Sequence, residues 1–478
     1  MKLNLKNSRK ILLSMALSLT IAGCSNDDSD NTVDRGALLA AETPQIFSGD
    51  TVAADVAFQS WIGDLLKLLA DCVSEGIVYD GMKLIIYQVN PRGVNPVIIT
   101  YESADKDGKR LKLTGALLIP TTILKQNFPL ISIQHGTQLQ RLVVPSKIAA
   151  NPSGYGIQDA FEVYLGYILA RAGYIVALPD YPGMGDKTSD NPGFHPYVHG
   201  RSLAISVVDM LRASRSYLEK NKNNMNVSWN GQVFLMGYSE GGYVTLAAAR
   251  EIQQKHTKEF TVTAVAPLDG PHDLTGVMLP IMQGKASNSY NFPAPYFLPY
   301  VIQGYESVYG TDIYGPKVAY ADEYIDVIPS LMDGFHDSHT VGCKIAQIQK
   351  RAEGDCSAAL PSILRDTFLN ALSDINSAAF KGLRANDLYL EDLGQCTKPN
   401  GLCVWIPEMP VRFVHNTKDD LVPFQNSQNT FDRFKTAGTT KTELKQFQCQ
   451  APLGNIVHVN AALPALMAGY GWIDKFRK

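Results

Sequence analysis

The sequence has no surplus of basic residues. Its 43 Lys and Arg stand against 46 Asp and Glu, for a formal charge of −3 and a pI near 6.3, which excludes electrostatic capture of nucleic acid as the main task. It has no internal repeat, and no low-complexity segment beyond one short polar stretch near the start, which excludes a repeat architecture. It is not poor in apolar residues either. With 45% hydrophobic and 19% charged residues, wholesale disorder is excluded and a large core can be buried. The apolar run at the start, Ile11 to Ala22, falls short of the ~20 helical residues that span a bilayer. At roughly 150 residues per domain, the length fits three domains, or one enzyme domain with a large insertion.

Cysteine is also scarce, and its seven copies leave an odd one. Lys2, Lys6, Arg9 and Lys10 precede the apolar run, which ends in Ile21-Ala22-Gly23-Cys24. This resembles a bacterial lipoprotein signal peptide, with residues 1–23 removed and lipid attached to Cys24; an ordinary secretory signal beside a chance cysteine is the alternative. Removing four positive charges takes −3 to −7 for the mature chain. Ser25, not Asp, follows the cysteine, so the resemblance implies an outer-membrane or cell-surface location, with the Cys24 lipid as the membrane attachment. Residues 24–45, starting Ser25-Asn26-Asp27-Asp28-Ser29-Asp30 after the cysteine, read as an acidic flexible tether. The remaining Cys72, Cys343, Cys356, Cys396, Cys403 and Cys449 form an even set in an exported protein. Loop proximity favours Cys343 with Cys356 and Cys396 with Cys403, which leaves Cys72 with Cys449; free buried thiols are the alternative.

From about residue 82, strand-like apolar runs alternate with helical ones, the pattern of an α/β fold with a mostly parallel sheet. Leu84–Val89, Val97–Glu102 and Leu111–Ile119 read as consecutive strands, the last two joined by a turn at Asp105-Lys106-Asp107-Gly108, so the opening is antiparallel. Pro129–Gln134, Tyr174–Leu178, Gln232–Met236, Val262–Ala266 and Val411–His415 read as short buried strands, with helices near 158–172, 200–220 and 240–254. Glu443–Cys449 reads as a last strand, before a terminal helix from about Val459. Between Ala266 and Val411 lie about 140 residues where one crossover helix needs far fewer. An insertion sits there. Residues 290–314 hold Tyr290, Phe292, Tyr296, Phe297, Tyr300, Tyr305, Tyr309 and Tyr314 among Pro293, Pro295 and Pro299, which suggests an irregular apolar cap over a site rather than a long helix, with core packing as the alternative.

Gly237-Tyr238-Ser239-Glu240-Gly241 follows the strand ending at Met236 and opens the helix near 240. A bare G-x-S-x-G is weak, but this setting makes it a nucleophile elbow. Gly237 and Gly241 are required because a Cβ at either would clash where the serine sits on a strained strand-to-helix turn. Serine attacks a carbonyl only with an imidazole base, and the base needs a carboxylate to fix its tautomer. In the order Ser, acid, His, the loop after Val411–His415 supplies Asp419, with Asp420 adjacent and Asp269 as an earlier alternative. His458 alone of the nine histidines lies downstream, in a loop before the terminal helix. His336 and His339, and likewise His195 and His199, lack a third ligand at metal spacing, so neither a metal nor a cofactor is implied. The oxyanion requires two donors: the Glu240 N–H, and a second from His135-Gly136-Thr137, with Thr137 favoured over Gly136.

These features resemble the α/β-hydrolases, and within them the secretory lipase family, over most of residues 80–475. Shared stretches are Leu113-Thr114-Gly115-Ala116-Leu117, Gln134-His135-Gly136-Thr137, Leu178-Pro179-Asp180-Tyr181-Pro182-Gly183-Met184-Gly185, His195-Pro196-Tyr197, the elbow and His415–Pro423. The resemblance implies an α/β-hydrolase fold with core 46–270 and 405–478 and a cap 271–404. It further implies Ser239, Asp419 and His458 as nucleophile, acid and base, and an acyl ester or lipid as substrate. Asn416 departs from the glycine that many hydrolases carry before the acid. An α/β-hydrolase peptidase and a non-catalytic surface binding lipoprotein are the competing readings.

Overall fold

The computed structural model describes residues 33–44, 93–391, 403–449 and 456–478. The signal segment, Cys24, Cys72, Cys396 and the Leu84–Val89 strand lie outside them. Among the described residues nine strands form one sheet: β1 (Leu38–Glu42), β2 (Val94–Ala104), β3 (Arg110–Pro120), β4 (Gln126–Gln134), β5 (Ile175–Pro179), β6 (Val227–Tyr238), β7 (Val262–Leu268), β8 (Val411–Asn416) and β9 (Thr442–Phe447). The order is β1-β2-β3-β5-β4-β6-β7-β8-β9. The ladder from β1 through β3 to β5 is antiparallel, and from β5 to β9 every pair is parallel. This is the α/β-hydrolase fold.

The layers follow from period-two alternation along buried strands. On β6, Val233 and Leu235 join one core cluster while Phe234 and Met236 join the other. The helices Ile157–Arg171 (α1), Gly200–Asn221 (α2) and Glu240–Lys255 (α3) divide between the faces. α2 and α3 bring Leu203, Val207, Val244 and Ala248 to the first cluster. α1 joins the second with Val163, Leu165 and Leu169, beside the terminal helix Val457–Ile473 and its Leu466 and Tyr470. Among the described residues no helix is long and apolar enough to cross a membrane.

Residues 38–42, assigned above to the flexible tether, form strand β1 against β2. Four of its five residues are exposed, so ladder hydrogen bonds rather than burial hold it, and no apolar alternation announces it.

A second correction concerns residues 290–314, which contain the regular helix Phe297–Tyr309. Pro299 is the third residue of that helix, where no intrahelical acceptor is needed for its missing N–H. Part of the aromatic density is core: Tyr300, Tyr305 and Tyr314 are buried, and their hydroxyls donate to the carbonyls of Gln138, Val198 and Ala379.

A disulfide joins Cys343 to Cys356, as loop proximity suggests. Cys403 and Cys449 are also disulfide-bonded.

Candidate active site

The parallel register sets the site. Gly237 on β6 is level with Gln134 on β4, and Tyr238 is level with Leu268 on β7, so the chain leaves three adjacent strands at His135, Ser239 and Asp269. Ser239 lies between β6 and α3 at φ 59 and ψ −123, a left-handed conformation that a non-glycine residue adopts at a cost of roughly 1–2 kcal/mol. Its N–H donates to Leu268 O at 2.9 Å. The neighbouring glycines make the turn feasible. A Cβ on Gly237 would sit 2.6 Å from Gln134 O, and one on Gly241 or Gly242 would overlap the carbonyl oxygen of Gln134 or Leu268.

Ser239, His458 and Asp419 are brought together. His458 Nε2 is 2.8 Å from Ser239 Oγ, and Nδ1 is 2.5 Å from Asp419 Oδ2. Asp419 Oδ1 accepts the N–H groups of Leu421 and Val422 at 2.9 and 2.8 Å. Burial opposes its charge, but the facing His458 and these donors together hold the carboxyl below its usual range.

His458 belongs to the first turn of the terminal helix rather than to a loop before it. That turn is fastened by Asp420, whose carboxylate accepts the Val457 and His458 N–H groups at 3.1 Å each, as an acidic group at a helix N-terminus does. The adjacent acids thus divide the work, Asp419 on the imidazole and Asp420 on the backbone beneath it. Tyr238 Oη donates to His458 O at 2.6 Å.

On the other side, a Cβ built on Gly136 would lie 3.9 Å from Ser239 Cβ, so the 135–137 turn faces the serine. Gly136, the less favoured donor above, gives its N–H to Glu162 Oε1 at 2.8 Å. The Thr137 N–H has no acceptor among the described residues, while its hydroxyl meets Tyr197 Oη at 2.9 Å. Glu240 opens α3 with its N–H in the unpaired first turn. Its buried carboxylate is fastened by His195 Nε2 at 2.7 Å, and His195 Nδ1 meets Pro182 O at 2.9 Å.

An apolar cleft opens beside Ser239, walled by Leu274, Met278, Met282, Leu298, Val301, Leu360 and Val422. Phe292 and Phe297 from the aromatic stretch also line it. Of the other histidines, His336 pairs with Asp333 at 3.0 Å and His339 lies 3.6 Å from the disulfide-bonded Cys343. His199 caps α2.

Glu162 does not stand out in the sequence, where its segment shows only a helical pattern. The available signal is a lone carboxylate on the buried face of α1. Burial, with no cation beside it, pushes its carboxyl from 4.5 up to about 7. An acid with its folded-state value raised stabilises fully below the unfolded value, and that contribution is lost as pH rises through the folded one. In a Glu162→Gln chain this loss between roughly pH 4.5 and 7 disappears, so the fall in Tm from pH 5 to pH 8 becomes smaller than in the wild type. Thermal melts at the two pH values decide this, and an unchanged fall would count against a buried Glu162 carboxyl raised by desolvation.

Residues 150–282 match the family model for Secretory lipase. No curated protein sequence matches the chain. Among solved structures the chain is similar to the rice cell wall degrading esterase LipA from Xanthomonas oryzae. One LipA structure has 25% identity and a TM-score of 0.61, covering 80% of this chain and 89% of that one. Its ligand-bound form covers 92% and 96% at 23% identity, with a TM-score of 0.65. Candida antarctica lipase A in its closed state is similar in fold at 13% identity, with a TM-score of 0.57 over 88% of this chain and 78% of that one. The resemblance to secretory lipases therefore holds at the level of a family segment and of the fold, and it supports ester hydrolysis.

Proposed function

We propose that this chain is a carboxylic ester hydrolase working through a Ser239 acyl-enzyme. The observation that carries the reading is the relay from Ser239 Oγ through His458 to Asp419, at 2.8 and 2.5 Å, on a serine held in a strained turn. His458 Nε2 takes the Ser239 proton as Oγ attacks the ester carbonyl, and Asp419 steadies the imidazolium so formed. The Glu240 and Thr137 N–H groups receive the oxyanion, with the N-terminus of α3 adding favourable potential. Collapse expels the alcohol, which takes the proton from His458. Water then attacks the acyl-enzyme by the same route in reverse, and the carboxylic acid leaves. The cleft beside Ser239 offers almost only carbon to a substrate, which suits an apolar acyl group. The same proposal places the mature chain at a membrane through lipid on Cys24.

A fluorophosphonate probe followed by peptide mapping tests the nucleophile, and labelling is expected at Ser239. Folded protein that is not labelled there would leave the non-catalytic reading standing. Nitrophenyl esters of rising acyl length are expected to be cleaved far better than an aminoacyl amide; the reverse ranking would favour the peptidase. Met282 lines the cleft, so Met282→Trp should shift acyl preference toward shorter chains, by about tenfold in the ratio of kcat/KM values. An unchanged chain-length profile would place the acyl group elsewhere.

A further inference from the structure

Asp269 is a second carboxyl group behind the acid of the site. It closes the end of β7 at φ 43 with no exposed surface, and its N–H donates to Val414 O at 3.0 Å. Oδ1 accepts the Asn416 N–H at 2.8 Å, at the point where β8 turns into the loop that carries Asp419. Oδ2 is buried and has no hydrogen-bond partner among the described residues.

Carboxylate oxygens of Asp269 and Asp419 and a ring nitrogen of His415 lie within 4.8 Å of one another. His415 Nε2 is 3.6 Å from Asp269 and 3.8 Å from Asp419, but it is spent on Val422 O at 2.8 Å, and Nδ1 meets Ser427 Oγ at 2.7 Å. Burial pushes the His415 imidazole down to about 4, so it brings no positive charge at neutral pH. Asp419 is committed as well, to His458 and to two backbone N–H groups. With these atoms engaged, the three residues do not present a free ligand set to a cation.

Two buried carboxylates this close, with the His458 ring nitrogen facing only Asp419, cannot both carry charge at bearable cost. Asp419 faces the imidazole and keeps the charge. The proton then belongs on the other carboxyl, and the unpartnered Oδ2 is where it fits. We propose that Asp269 is held as an uncharged carboxylic acid and serves as a positioning residue, its Oδ1 fixing the Asn416 backbone and its protonated Oδ2 facing the Asp419 carboxylate. Burial first, and the adjacent Asp419 second, push the Asp269 carboxyl well above its usual range, in agreement with that geometry. Asp419 is thereby left as the charged member of this pair, facing His458 Nδ1, on a loop that leaves β8 from an anchored Asn416.

The proposal rests on the triad reading above, and the two fail separately: fluorophosphonate labelling of the wild type at Ser239 reads the triad, and Asp269 variants read the present inference. Asp269→Asn is neutral and nearly isosteric, with an oxygen for the Asn416 N–H and an amide to donate toward Asp419. Its kcat should stay within about threefold of wild type with KM unchanged, whereas Asp269→Val should lose about tenfold or more in kcat with KM unchanged. The infrared difference spectrum between wild type and Asp269→Asn at pH 7 should contain the carbonyl stretch of an undissociated carboxylic acid. If Asp269→Val does not fold, the Asn variant and the spectrum still decide. A folded Asp269→Asn protein that loses as much kcat as Asp419→Asn, or a difference spectrum without that band, would overturn the proposal, because Asp269 would then be ionised.

Discussion

Ser239→Ala is expected to lower kcat for ester hydrolysis by about a millionfold, with the substrate still bound at a KM within a few-fold of wild type. The size follows from the chemistry: without the Oγ that lies 2.8 Å from His458 Nε2 there is no acyl-enzyme, and the imidazole retains only a poorly placed water to activate. The cleft walls and the Glu240 and Thr137 N–H groups are untouched, so binding should persist. The fold should persist as well, and a second substitution uses that fact. Ser239 adopts φ 59 without being glycine, so Ser239→Gly removes the Cβ strain and should stabilise the inactive protein by about 1 kcal/mol. Thermal melts beside the activity assay check both parts. An inactive glycine variant that is more stable than wild type means that strain is stored at the nucleophile; a variant with wild-type kcat means that Ser239 is not the nucleophile.

The elements legible in the amino-acid sequence are those whose pattern is imposed by burial. Val233 to Met236 are all buried, with alternate residues facing opposite core clusters, and a run of that kind bounded by glycine reads as a strand. Gly237 and Gly241 are legible for a steric reason, since backbone carbonyls fill the space where a Cβ would be. Strand β1 is illegible because exposed residues at a sheet edge carry no apolar period. The helix Phe297–Tyr309 is hidden by prolines, and only knowing where its first turn begins makes Pro299 harmless. The sequence favours Asp419 over Asp420 as the acid, but the separate work of the two lies beyond it. Neighbouring residues in a turn point in different directions, and only the fold shows that one carboxylate meets a ring nitrogen and the other two backbone N–H groups. Glu162 is illegible as a participant, and Asp269 is legible only as an alternative acid, for a related reason: their partners, Gly136 and Asn416, are 26 and 147 residues away in the chain.

That division between the two acids gives the second large effect. Asp419→Asn should lower kcat by about ten-thousandfold while leaving KM and Tm nearly unchanged. The side-chain oxygen can still accept the Leu421 and Val422 N–H groups, so the loop keeps its shape. The amide nitrogen, however, would face His458 Nδ1 and present a donor where an acceptor is needed. The imidazole proton is then driven to Nε2, which donates to Ser239 Oγ instead of accepting from it, and the base is lost through its tautomer. Asp420→Ala removes no contact to the imidazole. It deprives Val457 and His458 of an acceptor at the helix start, an effect of about 1 kcal/mol on stability with a loss of no more than about tenfold in kcat. The contrast is the measurement: kinetics and melts on both variants should place the large kinetic loss at Asp419 and the stability loss at Asp420. The opposite assignment would mean that Asp420 orients His458. Because the Asp419 variant keeps Oγ, Nε2 and both oxyanion N–H groups in place, raising the pH to assist deprotonation of the serine should recover part of its activity, whereas Ser239→Ala has nothing to recover.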